Sequence, residues 1–385
     1  MKIILAAGIF PPDIGGPATY TAQLAEALVQ QGHTVTVVCF SDSEESLCEK
    51  YPVIRVKRSW FKIWSHHQYL QALMWVSRGA DCLYAQGPTA GGWQARTVAK
   101  RLRLPLVVKV VGDYAWEQAR VRFGLDCTIE EFQTKQDLPL TIERLRSMQH
   151  SVVTAAQKVV VPSQYLAGLV QGWGVDGDRV QVIYNSFTSN FNHVQASELK
   201  PGNIFITGGR LVPWKGFDTL IKLWPRVTAE FPDAQLLIAG DGPDAPRLRQ
   251  LLEDTGDTAS VKLLGRLTSD QMAEQLRRSK AFILNSDYEG MSHMVLEAMA
   301  AGVIPLVSRR GGNEELVIDG TTGWAFAYNN AEEILAAVLR IAQLPTQDHI
   351  MQQAVTERSR QFTAASMISK TIALLEDCIK NHARV

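Results

Sequence analysis

The chain has 385 residues, of which 46% are hydrophobic and 20% charged, a composition typical of a globular protein. Lysine plus arginine and aspartate plus glutamate each number 39, so no net charge attracts nucleic acid and we expect no such partner. This length predicts two domains, and no apolar run reaches the roughly 20 residues that span a bilayer. Five scattered cysteines without metal-ligand spacing indicate reduced thiols in a cytoplasmic protein.

Strands and helices alternate through the first half of the chain, which predicts an open parallel sheet with helices on both faces. The predicted strands cover 3–5, 35–40, 53–56, 82–85, 106–111, 158–161 and 180–184. The predicted helices cover 17–31, 63–76, 92–101, a segment at 138–145 and one that begins at 162–163. No G-x-G-x-x-G follows the first strand, so the fingerprint of a nicotinamide or flavin site is missing.

Two loops of this half follow strands, at the end of the sheet where α/β proteins bind ligands. Gly15 and Gly16 precede the first helix, where they either let the backbone approach a ligand or form a tight turn. Asp113 either contacts a ligand or caps the segment that follows it. Trp116 is either a stacking platform for a sugar ring or a packing residue.

Basic and aromatic side chains interleave in a short segment that ends in two histidines at 66 and 67. The aromatic residues are Trp60, Phe61 and Trp64, and the bases are Lys57, Arg58 and Lys62. Such a segment lies at a lipid headgroup layer, lines a pocket for an anionic or lipid-linked sugar, or forms a helix with a core face and a solvated face. The last interpretation is the simplest, and we expect it.

A polar, unpatterned segment at 185–202 indicates a connection between domains. A second alternation follows it, with predicted strands at 204–207, 235–239, 261–264, 281–284 and 304–307. Predicted helices begin after Gly216 and cover 247–253, 270–278 and 364–380. The second half therefore predicts another parallel sheet covered by helices.

The stretch from 281 to 302 carries the clearest chemistry. An apolar strand ends in the polar cluster that begins at Asn285, and Ser292 is a predicted N-cap for the helix that follows. A helix N-terminus after a strand offers free amides to a phosphate. Glu289 and Glu297 flank this turn, and carboxylates repel phosphate, so they more naturally hold the hydroxyls of a ribose or a sugar. The combination predicts a nucleotide that carries a sugar.

Glu289-x7-Glu297, followed by Ala298-Met-Ala and Gly302-x-x-Pro305, resembles the retaining glycosyltransferases of family 4, which have the GT-B fold. The segment Gly208-Gly-Arg-Leu-Val-Pro-Trp-Lys-Gly216 matches the G-R-L-x-x-x-K-G of that family. Pro11-Pro-x-x-Gly-Gly16 resembles the loop with which the family meets acceptor and phosphate. The resemblance implies an α/β chain with two Rossmann-like, doubly wound domains that face each other across a cleft. The acceptor-binding domain would cover 1–190 and the nucleotide-sugar-binding domain 200–363, with the C-terminal helix 364–385 packing back on the first.

The resemblance also implies roles for individual residues. Arg210 and Lys215 would bind the diphosphate, Glu289 the sugar hydroxyls and Glu297 the ribose, and the first three form the predicted catalytic set. The predicted donor site consists of Gly15, Gly16, Gly209, Arg210, Lys215, Gly265, Arg266, Glu289, Gly290, Met291, Ser292, His293, Met294, Val295 and Glu297. Many relatives carry a sugar-contacting histidine at about Val111, so Asp113 and Trp116 are the predicted acceptor-side residues of this chain.

The implied reaction moves a glycosyl group from a nucleoside-diphosphate sugar to an acceptor hydroxyl with retention, in the synthesis of a glycan, glycolipid or polysaccharide. The acceptor would be a carbohydrate, a lipid-linked sugar or a small molecule. The resemblance requires no cofactor or metal ion, and the D-x-D at 176–178 falls in a turn where Asp and Gly are expected anyway. We expect a cytoplasmic protein with possible peripheral contact at the inner face of the membrane. A nucleotide-sugar epimerase and a non-catalytic binding protein are the alternatives.

Overall fold

The computed structural model describes residues 1–13, 15–42, 50–187, 202–344 and 349–382. Most of the predicted connection between domains, from 188 to 201, and Cys48 lie outside the described residues. The chain divides into two compact units, which are Met1–Tyr184 together with Ala365–Val385, and Asn185–Ala364. The division falls six residues before the predicted end of the first domain at 190.

The first unit contains a parallel sheet of seven strands in the order β3-β2-β1-β4-β5-β6-β7. The strands are β1 (Lys2–Ala7), β2 (Thr34–Phe40), β3 (Val53–Val56), β4 (Cys82–Gln86), β5 (Leu106–Lys109), β6 (Lys158–Val161) and β7 (Val180–Val182). The helices between them are α1 (Gly16–Gln30), α2 (Lys62–Val76), α3 (Gly92–Leu102), α4 (Tyr114–Phe123), α5 (Ile129–Thr134), α6 (Leu140–Ala155) and α7 (Gln164–Gly172). Most strand residues are buried, as continuous apolar runs predict for a sheet covered on both faces.

The second unit contains a parallel sheet of six strands in the order β10-β9-β8-β11-β12-β13. The strands are β8 (Ile204–Gly208), β9 (Gln235–Ala239), β10 (Val261–Gly265), β11 (Ala281–Leu284), β12 (Ile304–Ser308) and β13 (Trp324–Phe326). The helices are α8 (Phe217–Glu230), α9 (Ala245–Thr255), α10 (Ser269–Arg278), α11 (His293–Ala300), α12 (Ala331–Gln343) and α13 (His349–Ser359). The predicted fold class, two Rossmann-like parallel sheets covered by helices, is confirmed.

The C-terminal helix α14 (Ala364–His382) belongs to the first unit, although the second unit precedes it in the chain. Its buried residues join the apolar cluster on the α1 face of the first sheet. The Thr371 hydroxyl lies 3.2 Å from the Tyr20 hydroxyl, and the Gln157 amide donates to the carbonyl of Cys378 at 3.0 Å. The helix therefore completes the apolar layer that covers one side of that sheet.

Each sheet has a switch point, where the strand order reverses between its first and fourth strands. In the first unit the reversal lies between β1 and β4, and in the second between β8 and β11. Parallel sheets bind ligands outside the carboxyl ends of the strands that flank such a point. The loops after β8 and β11 are those that carry the glycine-rich basic motif and the paired glutamates.

Several predicted boundaries were wrong. Strand β5 ends at Lys109 and not at 111, so Val111 lies in a loop and is 38% exposed. The helix predicted at 138–145 begins at Leu140 and extends to Ala155. The sequence patterns also missed α4, α5, α12, α13 and the short edge strand β13. Within the described residues, no helix combines the length and the apolar composition that a membrane span requires.

Candidate functional site

The switch point of the second unit brings together two charges that lie far apart in the sequence. The Lys215 ammonium, from the loop after β8, forms an ion pair with the Glu289 carboxylate, from the loop after β11. The two side chains are 13% and 21% exposed, so water screens the pair only in part. Two of the three predicted catalytic side chains therefore lie in contact at the ligand-binding end of this sheet.

Arg210 lies earlier in the same loop, which is packed tightly at its backbone. Gly209 has a φ of +136°, and a Cβ at Gly240 would overlap the carbonyl oxygen of Gly209. The amide of Leu211 donates to the Asp241 carbonyl at 3.0 Å, which joins this loop to the one after β9. Among the residues that the structure describes, none pairs with the Arg210 guanidinium, and the side chain is exposed. The backbone is held in place while the cation stays available to a ligand.

A buried asparagine positions Lys215. The Asn285 side-chain amide is fully buried and donates to the Gly216 carbonyl at 3.0 Å and to the Asn329 side chain at 2.7 Å. Its oxygen accepts from the Asn329 amide at 2.9 Å. Gly216 has a φ of +55°, and a Cβ there would overlap the Asn285 amide. Sequence reasoning missed this role for Asn285, although a polar residue at the end of a fully apolar strand was the available signal.

The loop after β12 supports the Glu289 loop through backbone contacts. The Gly312 amide donates to the Glu289 carbonyl at 2.9 Å, and a Cβ at Gly311, with a φ of +69°, would overlap that same oxygen. The Asn313 side chain accepts from the Ser292 amide at 3.1 Å. The G-G-x-x-E segment at 311–315 is therefore a backbone support for the carboxylate loop, in a short 3-10 helix.

The N-terminus of α11 is capped as predicted, because the Ser292 hydroxyl accepts from the Val295 amide at 3.3 Å. Since the Ser292 amide already binds Asn313, two of the predicted phosphate donors at 292–295 have partners within the unit. The Met294 side chain lies against Gly208, close enough that a Cβ at Gly208 would stand 2.6 Å from its methyl carbon. The motif therefore predicts more phosphate-binding amides at this helix terminus than the structure leaves unengaged.

Residues 185 and 186 contact the same turn. The Asn185 side chain donates to the Met291 carbonyl at 3.3 Å, and the His293 Nδ1 atom lies 3.1 Å from the Ser186 carbonyl oxygen. Gly290, between Glu289 and Met291, is buried. These contacts therefore hold the turn between β11 and α11, in addition to those from residues 311–313.

Glu297 lies on the second turn of α11, with only a small part of its side chain exposed. Burial raises the pKa of this carboxyl to about 7. No hydrogen-bond donor among the described residues faces its oxygens, so a neutral hydroxyl or a proton is the partner that this carboxyl lacks. A buried carboxylate of this kind fits a ribose hydroxyl better than it fits a phosphate.

Gly265 ends β10 and Arg266 follows it, two strands away from β8 in the sheet order. Gly265 has a φ of +69°, and its carbonyl accepts from the Gly240 amide at 2.7 Å. Arg266 is exposed. Their place at the carboxyl end of the sheet suits a base-binding role, which stays a prediction.

In the first unit, Gly15 and Gly16 lie at the start of α1, directly after the loop that follows β1. The Gly15 carbonyl accepts from the amides of Ala18 and Thr19, and no side chain caps the helix. The Cβ of Ala90, after β4, lies so close to Gly8 that only glycine fits there. The two loops of this switch point are thus closely packed, with the Ala90 side chain against the Gly8 backbone.

The predicted acceptor-side residues have structural roles here. Asp113 is fully buried and caps α4, and its carboxylate accepts from the Trp116 amide and from the side chains of Gln133 and Gln149 at 2.9–3.1 Å. Trp116 is also fully buried, and its indole donates to the Cys127 carbonyl at 3.0 Å. The stacking role for Trp116 is wrong, because no face of its ring reaches the surface. The capping interpretation of Asp113 is confirmed.

Gln86 ends β4 at the switch point of the first unit, and sequence reasoning missed it. Its side chain is 6% exposed, and its carbonyl oxygen has no hydrogen-bond donor among the described residues. An unpaired buried acceptor costs about 1–3 kcal/mol unless a ligand or water satisfies it. Gln86 is therefore an unpaired buried acceptor at the end of β4, whereas the Asp113 carboxylate is already paired within the unit.

The interleaved aromatic and basic segment was also predicted wrongly. Trp60, Phe61, Ile63 and Trp64 are between 59% and 92% exposed, so they are not core residues.

In the described part of the chain, no cluster of histidine, cysteine, aspartate or glutamate has the grouping of a metal site. The D-x-D at 176–178 lies at a short 3-10 turn, where Asp176 pairs with Arg179 at 3.6 Å.

Two family profiles together cover most of the sequence. The profile described as Glycosyltransferase Family 4 matches residues 14–189, and the one described as Glycosyl transferases group 1 matches residues 189–361. The chain belongs to glycosyltransferase family 4. The second profile covers the whole strand set of the second unit, including both loops that carry Lys215 and Glu289.

Relatives of this family-4 chain include named mannosyltransferases. A GDP-mannose-dependent monoacylated alpha-(1-6)-phosphatidylinositol monomannoside mannosyltransferase from Corynebacterium glutamicum is 39% identical over 125 residues, which are 31% of this chain and 32% of that protein. A GDP-mannose-dependent alpha-(1-6)-phosphatidylinositol monomannoside mannosyltransferase from Mycolicibacterium smegmatis is 32% identical over 136 residues, 34% and 36% of the two chains. The similarity therefore spans only about a third of these relatives.

Solved structures with the same fold cover the family-4 chain almost completely. HepE from Anabaena, in complex with UDP, has a TM-score of 0.78 over 98% of this chain and 100% of its own, at 18% identity. Sucrose-phosphate synthase from Thermosynechococcus elongatus has a TM-score of 0.78 over 99% of each chain, also at 18% identity. At these identities the similarity establishes the GT-B fold.

Proposed function

We propose that this protein transfers a sugar from a nucleoside-diphosphate sugar to an acceptor hydroxyl. The observation that carries the proposal is the convergence of Lys215 and Glu289 at the β8/β11 switch point, beside an Arg210 side chain that faces solvent. A cation pair next to a carboxylate suits a ligand that contains both a diphosphate and hydroxyl groups. The partial matches to mannosyltransferases support the same class of donor.

In the proposed reaction the diphosphate leaves, and negative charge grows on its oxygens. Lys215 and Arg210 would neutralise that charge as preorganised donors, and electrostatic stabilisation of this kind accounts for most of the rate enhancement in many enzymes. An ammonium has three donor hydrogens, so Lys215 can hold Glu289 and a phosphate oxygen together. Each charged hydrogen bond contributes about 1.5–3 kcal/mol, against roughly 0.3–1 kcal/mol for the α11 dipole. The two bases would therefore dominate diphosphate binding.

The two glutamates would divide the neutral parts of the donor between them. Glu289, held by Lys215 and by the 311–313 support, would accept hydrogen bonds from the sugar hydroxyls. Glu297, buried and without a donor among the described residues, would accept from the ribose, with His293 and Met294 one turn earlier on α11. We propose retention of anomeric configuration without a metal ion, because the two cations supply the charge that a metal would otherwise supply.

The partial relatives and the fold neighbours suggest which donors and acceptors to try. GDP-mannose is the donor in the names of the mannosyltransferase relatives, whereas UDP is bound in HepE. We propose GDP-mannose as the first donor to test and a lipid-linked or carbohydrate hydroxyl as the acceptor. The described cysteines at 39, 82, 127 and 378 form no disulfide, which suits a reducing, cytoplasmic location.

Calorimetry with GDP-mannose, UDP-glucose, GDP and UDP tests the donor site first. We expect one sugar nucleotide to bind. Lys215→Ala should weaken the binding of the nucleoside diphosphate alone as strongly as it weakens the binding of the intact donor. Transfer is then assayed with a panel of glycolipid and sugar acceptors, and the anomeric proton of the product is read by NMR. A new bond of the same configuration as in the donor is the expected result.

Three outcomes would contradict this function. Failure of every nucleotide to bind would remove the donor site. Conversion of the donor to its epimer without any acceptor would favour an epimerase, and tight binding without turnover across all acceptors would favour a binding protein.

A further inference from the structure

The first unit carries an exposed aromatic surface that the proposed transfer reaction does not use. Its members are Trp60, Phe61, Ile63 and Trp64, at the start of α2, and they are 92%, 74%, 87% and 59% exposed. Singly exposed apolar residues are ordinary, but four adjacent large ones are not. We refer to these four residues as the aromatic tip.

The aromatic tip is rigidly supported. One face of α2 is buried, and there the Tyr69 hydroxyl donates to the carbonyls of Val38 at 2.8 Å and Ala7 at 3.1 Å. The turn before the helix is held by Ser65, whose hydroxyl accepts from the Ser59 amide at 2.8 Å. Because the tip is fixed to the sheet in this way, its exposure does not result from a loosely attached loop.

The opposite face of α2 continues the apolar surface along the helix. Residues advance by about 100° each, so Ile63, Trp64, His67, Gln71 and Trp75 fall within one arc of roughly 120°. All five are exposed, and Trp75 is 70% exposed. A shallow groove of about 460 Å³ lies between Phe61, Ile63, Trp64 and His67. The helix thus presents a continuous apolar and uncharged polar stripe to its surroundings.

The sequence of this region is rich in bases, although the chain as a whole is neutral. Between residues 52 and 112 it has ten lysines and arginines and one acid, Asp81; of these bases, Lys109 is buried and Arg58 pairs with Asp13 and Asp42. The bases on α3 and the loop that follows it are Arg96, Lys100, Arg101 and Arg103. Helix α3 packs beside α2 through contacts such as that between Gln94 and His66 at 2.7 Å. Apolar and cationic side chains therefore occupy neighbouring helices of one unit.

We propose that α2 and α3 form a docking surface for an anionic lipid bilayer. Tryptophan and other large apolar side chains partition into the boundary between headgroups and acyl chains, while neighbouring bases attract anionic headgroups. Each base near the surface strengthens this attraction, and dissolved salt weakens it. A protein partner would need acidic side chains at matching positions to bind this surface. An anionic membrane presents negatively charged headgroups over its whole surface.

Vesicle co-sedimentation of the full chain tests the proposal. The vesicles contain either phosphatidylcholine alone or an equal mixture with phosphatidylglycerol, at 50 and 500 mM salt. We expect binding to the anionic vesicles, weaker binding at high salt, and at least a tenfold loss of partitioning for Trp60→Ala/Trp64→Ala. Lys100→Glu/Arg101→Glu should lose binding mainly at low salt. Ile350→Ala, 83% exposed in the other unit, is the matched control and should bind as the native chain does.

The donor site provides a readout that separates this proposal from the proposed function. Nucleotide binding by the Trp60→Ala/Trp64→Ala variant, measured by calorimetry, should equal that of the native chain, which also shows that the variant is folded. If the native chain does not sediment with anionic vesicles, or if the double variant sediments equally well, the docking surface is overturned. Dimerisation that the double variant abolishes, without vesicle binding, would instead make the tip a contact between two copies and would also overturn it.

Discussion

The two switch points of this protein share the same arrangement of strands but carry different side chains, charged in the second unit and neutral in the first. At the β8/β11 point of the second unit, an ion pair, a buried asparagine and three close glycine contacts fix the charged loops. At the β1/β4 point of the first unit, Gly8 packs against the Ala90 side chain, and the buried polar group without a described partner is the neutral Gln86. Fixed charge needs rigid support, since a misplaced cation would not follow the charge that develops on a diphosphate. A site for neutral hydroxyls needs fewer such constraints.

Gly311→Ala should disrupt the Glu289 loop after β11 and have the largest effect of the substitutions predicted here. The substitution combines an unfavourable left-handed backbone with overlap against the Glu289 carbonyl, at a combined cost of about 4 kcal/mol. The expected result is a large fall in the midpoint of thermal unfolding and loss of donor binding. Gly320→Ala is the matched control, because Gly320 has nearly the same φ, +74° against +69°, but no atom within 4 Å of a Cβ. Equal effects from both variants would refute the supporting role.

Lys215→Ala should reduce turnover about 100-fold, or about 2.7 kcal/mol of transition-state stabilisation, and Arg210→Ala should act similarly. Lys222→Ala, which removes a lysine on the exposed face of α8, should leave turnover unchanged. Initial rates at saturating donor and acceptor measure this effect. A Lys215→Ala variant with native turnover would show that the ion pair with Glu289 is only structural.

Asp113→Ala should affect the stability of the first unit but not the donor chemistry of the second. The change leaves the buried amide of Gln149 without its acceptor and removes one of the two acceptors of the half-buried Gln133 amide, at a cost of about 2 kcal/mol. Urea unfolding measures the loss, and Asp126→Ala, at an exposed partner of Arg120, is the control. If Asp113→Ala keeps native stability but raises the KM for the acceptor, Asp113 is an acceptor-binding residue after all.

Glu297→Gln should change the stability of the protein by an amount that depends on pH. Because the pKa of the folded carboxyl is raised to about 7, ionisation opposes folding, so stability is highest below the ordinary value near 4.5 and falls as pH rises towards 7. The variant should therefore be more stable than the native chain at pH 8, by up to about 3 kcal/mol, and equally stable near pH 4.5, as thermal unfolding at the two pH values measures. Glu253→Gln, on the exposed surface of α9, is the control.

Donor affinity measured on the native chain and on Glu297→Gln tests the ribose role itself. If the ionised carboxylate holds the ribose, the affinity of the native chain should weaken as pH falls below 7, and the variant should bind weakly at every pH. An affinity that does not change with pH in either protein would contradict the role.

Apolar runs and capping residues determined most of the fold. Apolar runs such as 281–284 are too short for a helix and therefore predict buried strands. Ser292 caps the start of α11, as its hydroxyl predicts. The residues near 113–155 were harder to interpret, because helices α4 to α6 have mixed composition and their positions depend on buried contacts such as Asp113 with Gln149. Their helical state is stabilised by tertiary packing, which a local pattern does not contain.

The spacing between two glutamates and the basic glycine-rich loop determined by themselves the family, and they predicted the end of the sheet where we propose the donor site. Only the tertiary structure decided that Glu289 pairs with Lys215, that Asn285 holds Gly216, and that Trp116 is buried while Trp60 is exposed. The sequence pattern could not predict these contacts because periodicity indicates only which residue types alternate within one element. Burial and pairing depend on which other elements pack against it, and these come from distant parts of the chain.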